Sequence, residues 1–156
     1  TNLLDLGSSP GSWTQIASKI ITNGKILSID LKEMKPIRNV EFLQGDFLDS
    51  RIKANIIKYF QSNLDVIISD MAADTTGNKS LDSIRTNQLC SNVINFSKDS
   101  LKPKGVLISK IFMGEDFIEV KNLAKSIFKK VNFFKPDSSR KESKETYLHC
   151  EILKSL

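Results

Sequence analysis

Apolar runs and amphipathic stripes take turns along this 156-residue chain. Runs at Asn2–Leu6, Lys25–Ile29, Val40–Leu43, Leu64–Ser69, Gly105–Ile111, Val131–Phe134 and Thr146–Leu153 have the length and β-branched content of strands. Between them apolar residues recur at helical spacing. The stripes are Trp13, Ile16, Ala17 and Ile20; Ile52, Ile56 and Phe60; Leu89, Val93 and Phe96; and Phe117, Val120, Ala124, Ile127 and Phe128. Alternation of this kind predicts an α/β fold with a seven-stranded, mostly parallel sheet and helices on both faces. The last two runs have no helical stripe between them, so they are predicted to form an antiparallel hairpin that closes the sheet. With 40% apolar residues the chain is expected to fold as one domain, residues 1–156, around one core.

The first strand runs straight into Gly7-Ser8-Ser9-Pro10-Gly11-Ser12-Trp13, a glycine turn that opens a helix. Gly7 allows the sharp turn, Gly11 lets the backbone come close to a ligand, and Ser9 with Pro10 reads as the cap and first position of the helix. A dinucleotide fingerprint needs three glycines, and only Gly7 and Gly11 are present, which argues against a pyrophosphate. Asp5 just before the turn would repel a phosphate and favour a cation, such as the sulfonium of S-adenosylmethionine. A tight turn with no ligand is the competing explanation of this segment taken alone.

In open α/β sheets ligands bind beyond the carboxyl ends of the strands. Here the strand ends carry Asp5 to Gly11, Asp30, Asp46, Asp70 and Lys110 in succession. A core gains nothing from such repetition, so the set predicts a site. Asp30 lies 19 residues after Gly11, where a carboxylate can accept both ribose hydroxyls of an adenosyl group, and Asp46 could bind an adenine amino group. Trp13 fits either the core or a ligand contact, Lys110 either a site or a lysine reaching out from a buried strand, and Glu145 either a site or a solvated loop. His149 alternates with apolar neighbours and reads as a core residue.

The net charge of +5 is unevenly placed. Residues 1–97 hold ten basic and ten acidic side chains, whereas residues 98–156 hold 13 and 8. That pattern suits a polyanion, although lysines that merely solvate helix faces would give it too. Ser138, Ser139, Arg140 and Lys141 combine hydroxyls, backbone amides and positive charge, the groups that bind phosphate, although a turn with incidental charge would read the same. Cys90 and Cys150 lie far apart without a nearby histidine, so neither a disulfide framework nor a metal site is supported. No apolar stretch approaches the roughly 20 residues that span a bilayer, and no signal peptide precedes the first strand, so a cytoplasmic protein with no membrane partner is expected.

Together Asp5-Leu6-Gly7-Ser8-Ser9-Pro10-Gly11-Ser12-Trp13, Phe42 to Phe47, Ser69-Asp70-Met71-Ala72, Ser109-Lys110-Ile111-Phe112 and Lys135 to Arg140 with Glu145-Thr146-Tyr147 resemble the FtsJ/RrmJ (RlmE) family of ribosomal RNA large-subunit 2′-O-methyltransferases, over essentially the whole chain. The resemblance implies a Rossmann-like class I methyltransferase fold with an antiparallel last strand and S-adenosylmethionine as methyl donor. It also implies the ribose 2′-hydroxyl of a uridine in large-subunit ribosomal RNA as acceptor, with ribosomal RNA or the large subunit as partner of a monomer. It makes Lys110, Asp70 and Glu145 three members of a Lys-Asp-Lys-Glu catalytic tetrad, and Gly7, Gly11, Trp13, Asp5, Asp30, Asp46 and Asp70 cofactor contacts.

The family's first tetrad lysine lies upstream of the glycine turn, in a segment expected to be missing because this chain starts at Thr1 inside the first strand. For a lysine to take the hydroxyl proton it must be neutral, which carboxylate neighbours oppose, and that upstream lysine is the natural cation to offset them. Relatives acting on tRNA or mRNA caps share the tetrad. A non-catalytic RNA-binding or ribosome-assembly module also fits these residues, and so does a small-molecule methyltransferase, against which the basic last third argues.

Overall fold

The structure is a computed structural model that describes residues 1–135 and 144–155. In chain order its elements are β1 (Asn2–Leu6), α1 (Ser12–Ile20), β2 (Lys25–Asp30), β3 (Glu41–Gln44), α2 (Ser50–Phe60), β4 (Leu64–Ser69), α3 (Lys79–Ser100), β5 (Leu101–Phe112), α4 (Phe117–Ile127), β6 (Phe128–Phe134) and β7 (Glu145–Leu153). Helix starts follow side-chain chemistry where it is available. Asp49 accepts the Arg51 N–H at the head of α2, and Asn78 accepts the Leu81 N–H at the head of α3.

The strands form one sheet in the order β3-β2-β1-β4-β5-β7-β6. All pairings from β3 to β5 are parallel, and β7 runs antiparallel to both β5 and β6, so the expected closing hairpin forms. Strand order reverses between β1 and β4, and the carboxyl ends of these two central strands therefore define the crevice.

Helices lie on both faces, but unevenly. Ile56 and Phe60 of α2, Val93 and Ile94 of α3, and Val120 and Ala124 of α4 join one core with Leu4, Leu6, Ile67, Leu107 and Leu148 of the sheet. On the other face a small cluster of Leu3, Ala17 and Ile26 packs under α1. The α1 stripe departs from expectation here: Ile16 is 59% exposed and Ile20 73%, while Thr14 is fully buried. Both isoleucines rim an apolar groove with Leu3, Trp13, Val66 and Ile68.

Further differences concern boundaries and partners. Phe128 begins β6 instead of ending the fourth helix. In α3 the buried face includes Thr86, Asn87 and Ser97 beside Cys90, Val93 and Ile94, so it is rotated from the Leu89–Phe96 stripe. His149 is not in the core: it is half-exposed on the β7 face opposite Leu148, with Nε2 3.1 Å from Glu151 Oε1. Cys90 and Cys150 are both buried, and burial pushes each thiol up to about 12, so both stay protonated.

Candidate active site

β1 delivers the chain into the crevice, and the turn after it is fastened to β2. The N–H groups of Gly7 and Ser8 both donate to the Ile29 carbonyl, at 2.9 and 3.2 Å. Gly7 has φ +73°, and a Cβ there would lie 2.9 Å from the Met71 backbone nitrogen, so no other residue fits without displacing the chain after β4. The Ser9 N–H donates to Asp30 Oδ2 at 2.9 Å, which carries the turn outward towards the end of β2.

As a result the helix starts later than expected. Gly11, at φ +118°, is the N-cap and Ser12 the first residue of α1, in place of the Ser9 and Pro10 that the sequence pattern predicts. The open side of Gly11 also faces protein: an added Cβ would meet Ile37 Cδ1 at 3.0 Å and Met34 Sδ at 3.2 Å. A ligand reaching that backbone has to displace these two side chains of the β2–β3 loop.

Behind the turn, Asp5, Gly7, Ser9, Ser12, Trp13 and Asp70 line a cavity of about 170 Å³. Asp5 is 1% exposed. Its Oδ2 accepts the Thr14 hydroxyl at 2.5 Å, and Thr14 Oγ1 lies 2.9 Å from Ser28 Oγ. Because the single Thr14 proton goes to Asp5, the Ser28 hydroxyl donates to Thr14. Burial pushes the Asp5 carboxyl up to about 6; the Thr14 bond opposes this, and the carboxylates of Asp70 and Asp30 add to it. Two carboxylates, Asp5 and Asp70, thus line the cavity.

Asp70 follows β4, and its N–H donates to the Leu6 carbonyl at 3.0 Å, which sets it beside the glycine turn. Lys110 Nζ lies 3.2 Å from Asp70 Oδ1 and 3.5 Å from Glu145 Oε2, with the lysine side chain only 12% exposed. The β5–β7 register explains this meeting, since Lys110 faces Tyr147 and Phe112 faces Glu145 across the pair. Tyr147, which sequence reasoning treated only as part of a motif, completes the cluster. Its hydroxyl donates to Asp70 Oδ1 at 2.7 Å and lies 3.4 Å from Glu145 Oε1. Its ring stacks on Phe134, with centroids 5.7 Å apart, and meets Trp13 at 5.5 Å. Burial first, and then its bonds to the two carboxylates, raise the phenol far above its ordinary range, so it remains a donor.

The remaining expected residues stand further out. Each oxygen of Asp30 already takes a backbone N–H, from Ser9 and from Lys32, which leaves one lone pair apiece. Asp46 is exposed ahead of α2; its Oδ1 accepts the Leu48 N–H, and the Gly45 N–H donates to the Asp30 carbonyl. Neither lines the cavity around Asp5. Ser138, Ser139, Arg140 and Lys141 lie outside the described residues. In chemical terms the strand ends offer a cavity lined by carboxylates and suited to a cation and, joined to it through Asp70, an amine held between two carboxylates.

Known proteins share this arrangement of sequence and fold. The model of FtsJ-like methyltransferases matches residues 1–152. A ribosomal RNA large subunit methyltransferase E from Pelagibacter ubique is 47% identical over 153 residues, covering 98% of this chain and 75% of the relative. The protein of the same name from Rickettsia akari is 47% identical over 152 residues, covering 94% and 67%. A crystal structure from Plasmodium falciparum, assigned as a ribosomal RNA methyltransferase, superposes with a TM-score of 0.86 at 30% identity, covering 97% of this chain and 86% of that one.

Proposed function

Because the chain belongs to the FtsJ-like methyltransferase family, we propose that it transfers the methyl group of S-adenosylmethionine to the ribose 2′-hydroxyl of a uridine in large-subunit ribosomal RNA. The observation that carries this reading is the position of the Lys110 amine, 3.2 Å from Asp70 and 3.5 Å from Glu145 at the strand ends that border the Asp5 cavity. Residues 1–156 act as one methyltransferase domain, working as a monomer in the cytoplasm on ribosomal RNA or the large subunit. Among the described residues no helix is long and apolar enough to cross a membrane.

The cavity fits the cofactor on charge. A buried carboxyl held up at about 6, with two further carboxylates acting on it, is relieved by a positive group placed beside it. Asp5 and Asp70 would hold the sulfonium end, Trp13 and the Gly7–Ser9 turn would flank it, and Asp30 and Asp46 would take the ribose and adenine through their free acceptor positions. When bound, S-adenosylmethionine supplies a methyl group on a positively charged sulfur.

The protein residues position the acceptor and handle its proton. Acting as base, Lys110 meets the ribose hydroxyl as the neutral amine and takes its proton as the oxygen becomes nucleophilic, ending as the ammonium that Asp70 and Glu145 hold. Asp70 and Glu145 fix the lysine on either side, and Tyr147 fixes Asp70, so that the hydroxyl is met in one orientation. Such positioning accounts for much of the rate in displacement reactions. Ser138, Ser139, Arg140 and Lys141 hold RNA phosphates by charge-assisted bonds.

The test uses the full chain, radiolabelled S-adenosylmethionine and unmodified large-subunit RNA, free and in the assembled subunit. The expected product is label in an alkali-resistant dinucleotide, because a 2′-O-methyl group blocks cleavage of the adjacent phosphodiester. Label in a base, or none in RNA while the cofactor binds, overturns the reading; the second result would favour an RNA-binding module.

A further inference from the structure

The buried side chain of Asn87, in the middle of α3, holds the backbone of β5 just past Lys110. Its Oδ1 accepts the Phe112 N–H at 2.8 Å, and its Nδ2 donates to the Phe112 carbonyl at 2.9 Å. Nδ2 gives its second proton to Asp116 Oδ1, also at 2.8 Å. The orientation of the amide is unambiguous, since an N–H needs an acceptor and a carbonyl needs a donor.

The need for this clamp comes from the sheet. The β4–β5 register ends at Ser69 and Ser109, yet β5 runs on to Phe112. Phe112 therefore presents an N–H and a carbonyl beyond the end of its neighbouring strand, and the Asn87 amide takes the place that another peptide group would fill. On the opposite edge the Met113 N–H donates to the Lys144 carbonyl at 2.9 Å, so the end of β5 is held from both sides. Asp116 stands at the N-cap of α4 but makes no side-chain cap bond; its carboxylate turns to Asn87 instead.

We infer that Asn87 is a positioning residue for methyl transfer, which fixes the end of β5 and thereby the places of Lys110 and Glu145. Lys110 lies two residues before the clamped peptide on the same face of the strand, and Glu145 lies directly opposite Phe112. Slack at this point moves both groups together, whereas the Asp5 cavity is lined by β1, the glycine turn and the start of α1 and meets the cluster through Asp70. The inference rests on the methyltransferase reading above.

Asn87→Leu keeps the number and branching of the side-chain heavy atoms and removes all three bonds; Asn87→Asp keeps the acceptor for the Phe112 N–H and loses the donor. Measured per folded molecule, kcat is expected to fall on the order of tenfold to a hundredfold in Asn87→Leu, and as much in Asn87→Asp, whose carboxylate faces Asp116 Oδ1 and the Phe112 carbonyl. The S-adenosylmethionine dissociation constant should stay within about twofold, because the cofactor cavity has no part in the clamp. Amide exchange at Phe112 should quicken in Asn87→Leu, which removes its acceptor, and the Lys110 side-chain resonance should shift in both variants. Unchanged kcat in folded Asn87→Leu, or cofactor affinity falling in step with kcat, overturns the inference. Should the wild-type chain transfer no methyl group, the functional reading fails by itself, and unchanged amide exchange and Lys110 resonance in Asn87→Leu would still sink the positioning role.

Discussion

The Tyr147 hydroxyl donates to Asp70 Oδ1 at 2.7 Å, joining β7 to the end of β4 across 77 residues of sequence. The same carboxylate oxygen lies 3.2 Å from Lys110 Nζ. One oxygen thus meets both the phenol and the amine, and this fixes the orientation of the Asp70 carboxylate.

Tyr147→Phe should keep the fold, because the ring contacts with Phe134 and Trp13 survive. The loss of one hydrogen bond to a charged acceptor is expected to cost about 1–3 kcal/mol in stability, and transfer should slow by about tenfold with Asp70 less well fixed. Tyr147→Ala, which also empties a buried ring site, should cost about 3–5 kcal/mol. Chemical denaturation and single-turnover methylation check both; equal rates for Tyr147→Phe and wild type would remove the hydroxyl from the mechanism.

Whether a feature could be read from the sequence depended on how local its cause is. β1 and β4 match their predicted bounds because each is a short apolar run closed by a turn residue. Asp5, Asp70 and Lys110 stood out because strand ends can be counted without knowing the strand order. α1 misled because its buried face is turned to a polar network, with Thr14 bonded to Asp5 and close to Ser28, and a hydrophobic count scores Thr14 as outward. Asn87 gave no signal at all: a polar residue in a helix becomes structural only when a strand 25 residues later outruns its neighbour. Tyr147 lies two residues from Glu145 on a strand, so period-two alternation put both on one face, yet its tie to Asp70 needs the fold.

Lys110→Ala should abolish most transfer, by about 10²- to 10⁴-fold, while cofactor binding persists because Lys110 does not line the cavity around Asp5. Lys110→Arg should not rescue it, since a guanidinium keeps its proton. Parallel calorimetry and single-turnover assays separate the two quantities; comparable loss of cofactor binding would move Lys110 out of the catalytic role.

Asp30→Ala removes an acceptor from two backbone N–H groups, those of Ser9 and Lys32. The expected cost is about 1–3 kcal/mol, concentrated in the glycine turn, with weaker cofactor binding as its consequence. Amide exchange should rise at Ser9 before it rises in β2. Uniform destabilisation with no local change would show that Asp30 does not hold the turn.

Asp5 supplies a pH dependence whose sign is fixed by its environment. Its carboxyl is raised from 3.8 to about 6, chiefly by burial, so between those values the folded chain binds more protons at this site than the unfolded chain does. Stability from this group is therefore highest below about pH 4, falls as pH rises through the window, and is flat above about 6, a total of about 3 kcal/mol. Asp5→Asn, which still accepts from Thr14, should flatten this slope and be the more stable chain at neutral pH. Binding follows the opposite course: a sulfonium next to Asp5 favours the ionised carboxylate, so affinity for S-adenosylmethionine should rise through about pH 6, while that for the uncharged thioether product should not. The ratio of the two affinities, measured by calorimetry from pH 5 to 8, should climb in the wild-type chain and stay level in Asp5→Asn. A level ratio in the wild type would mean that the cavity does not hold the charged end of the cofactor.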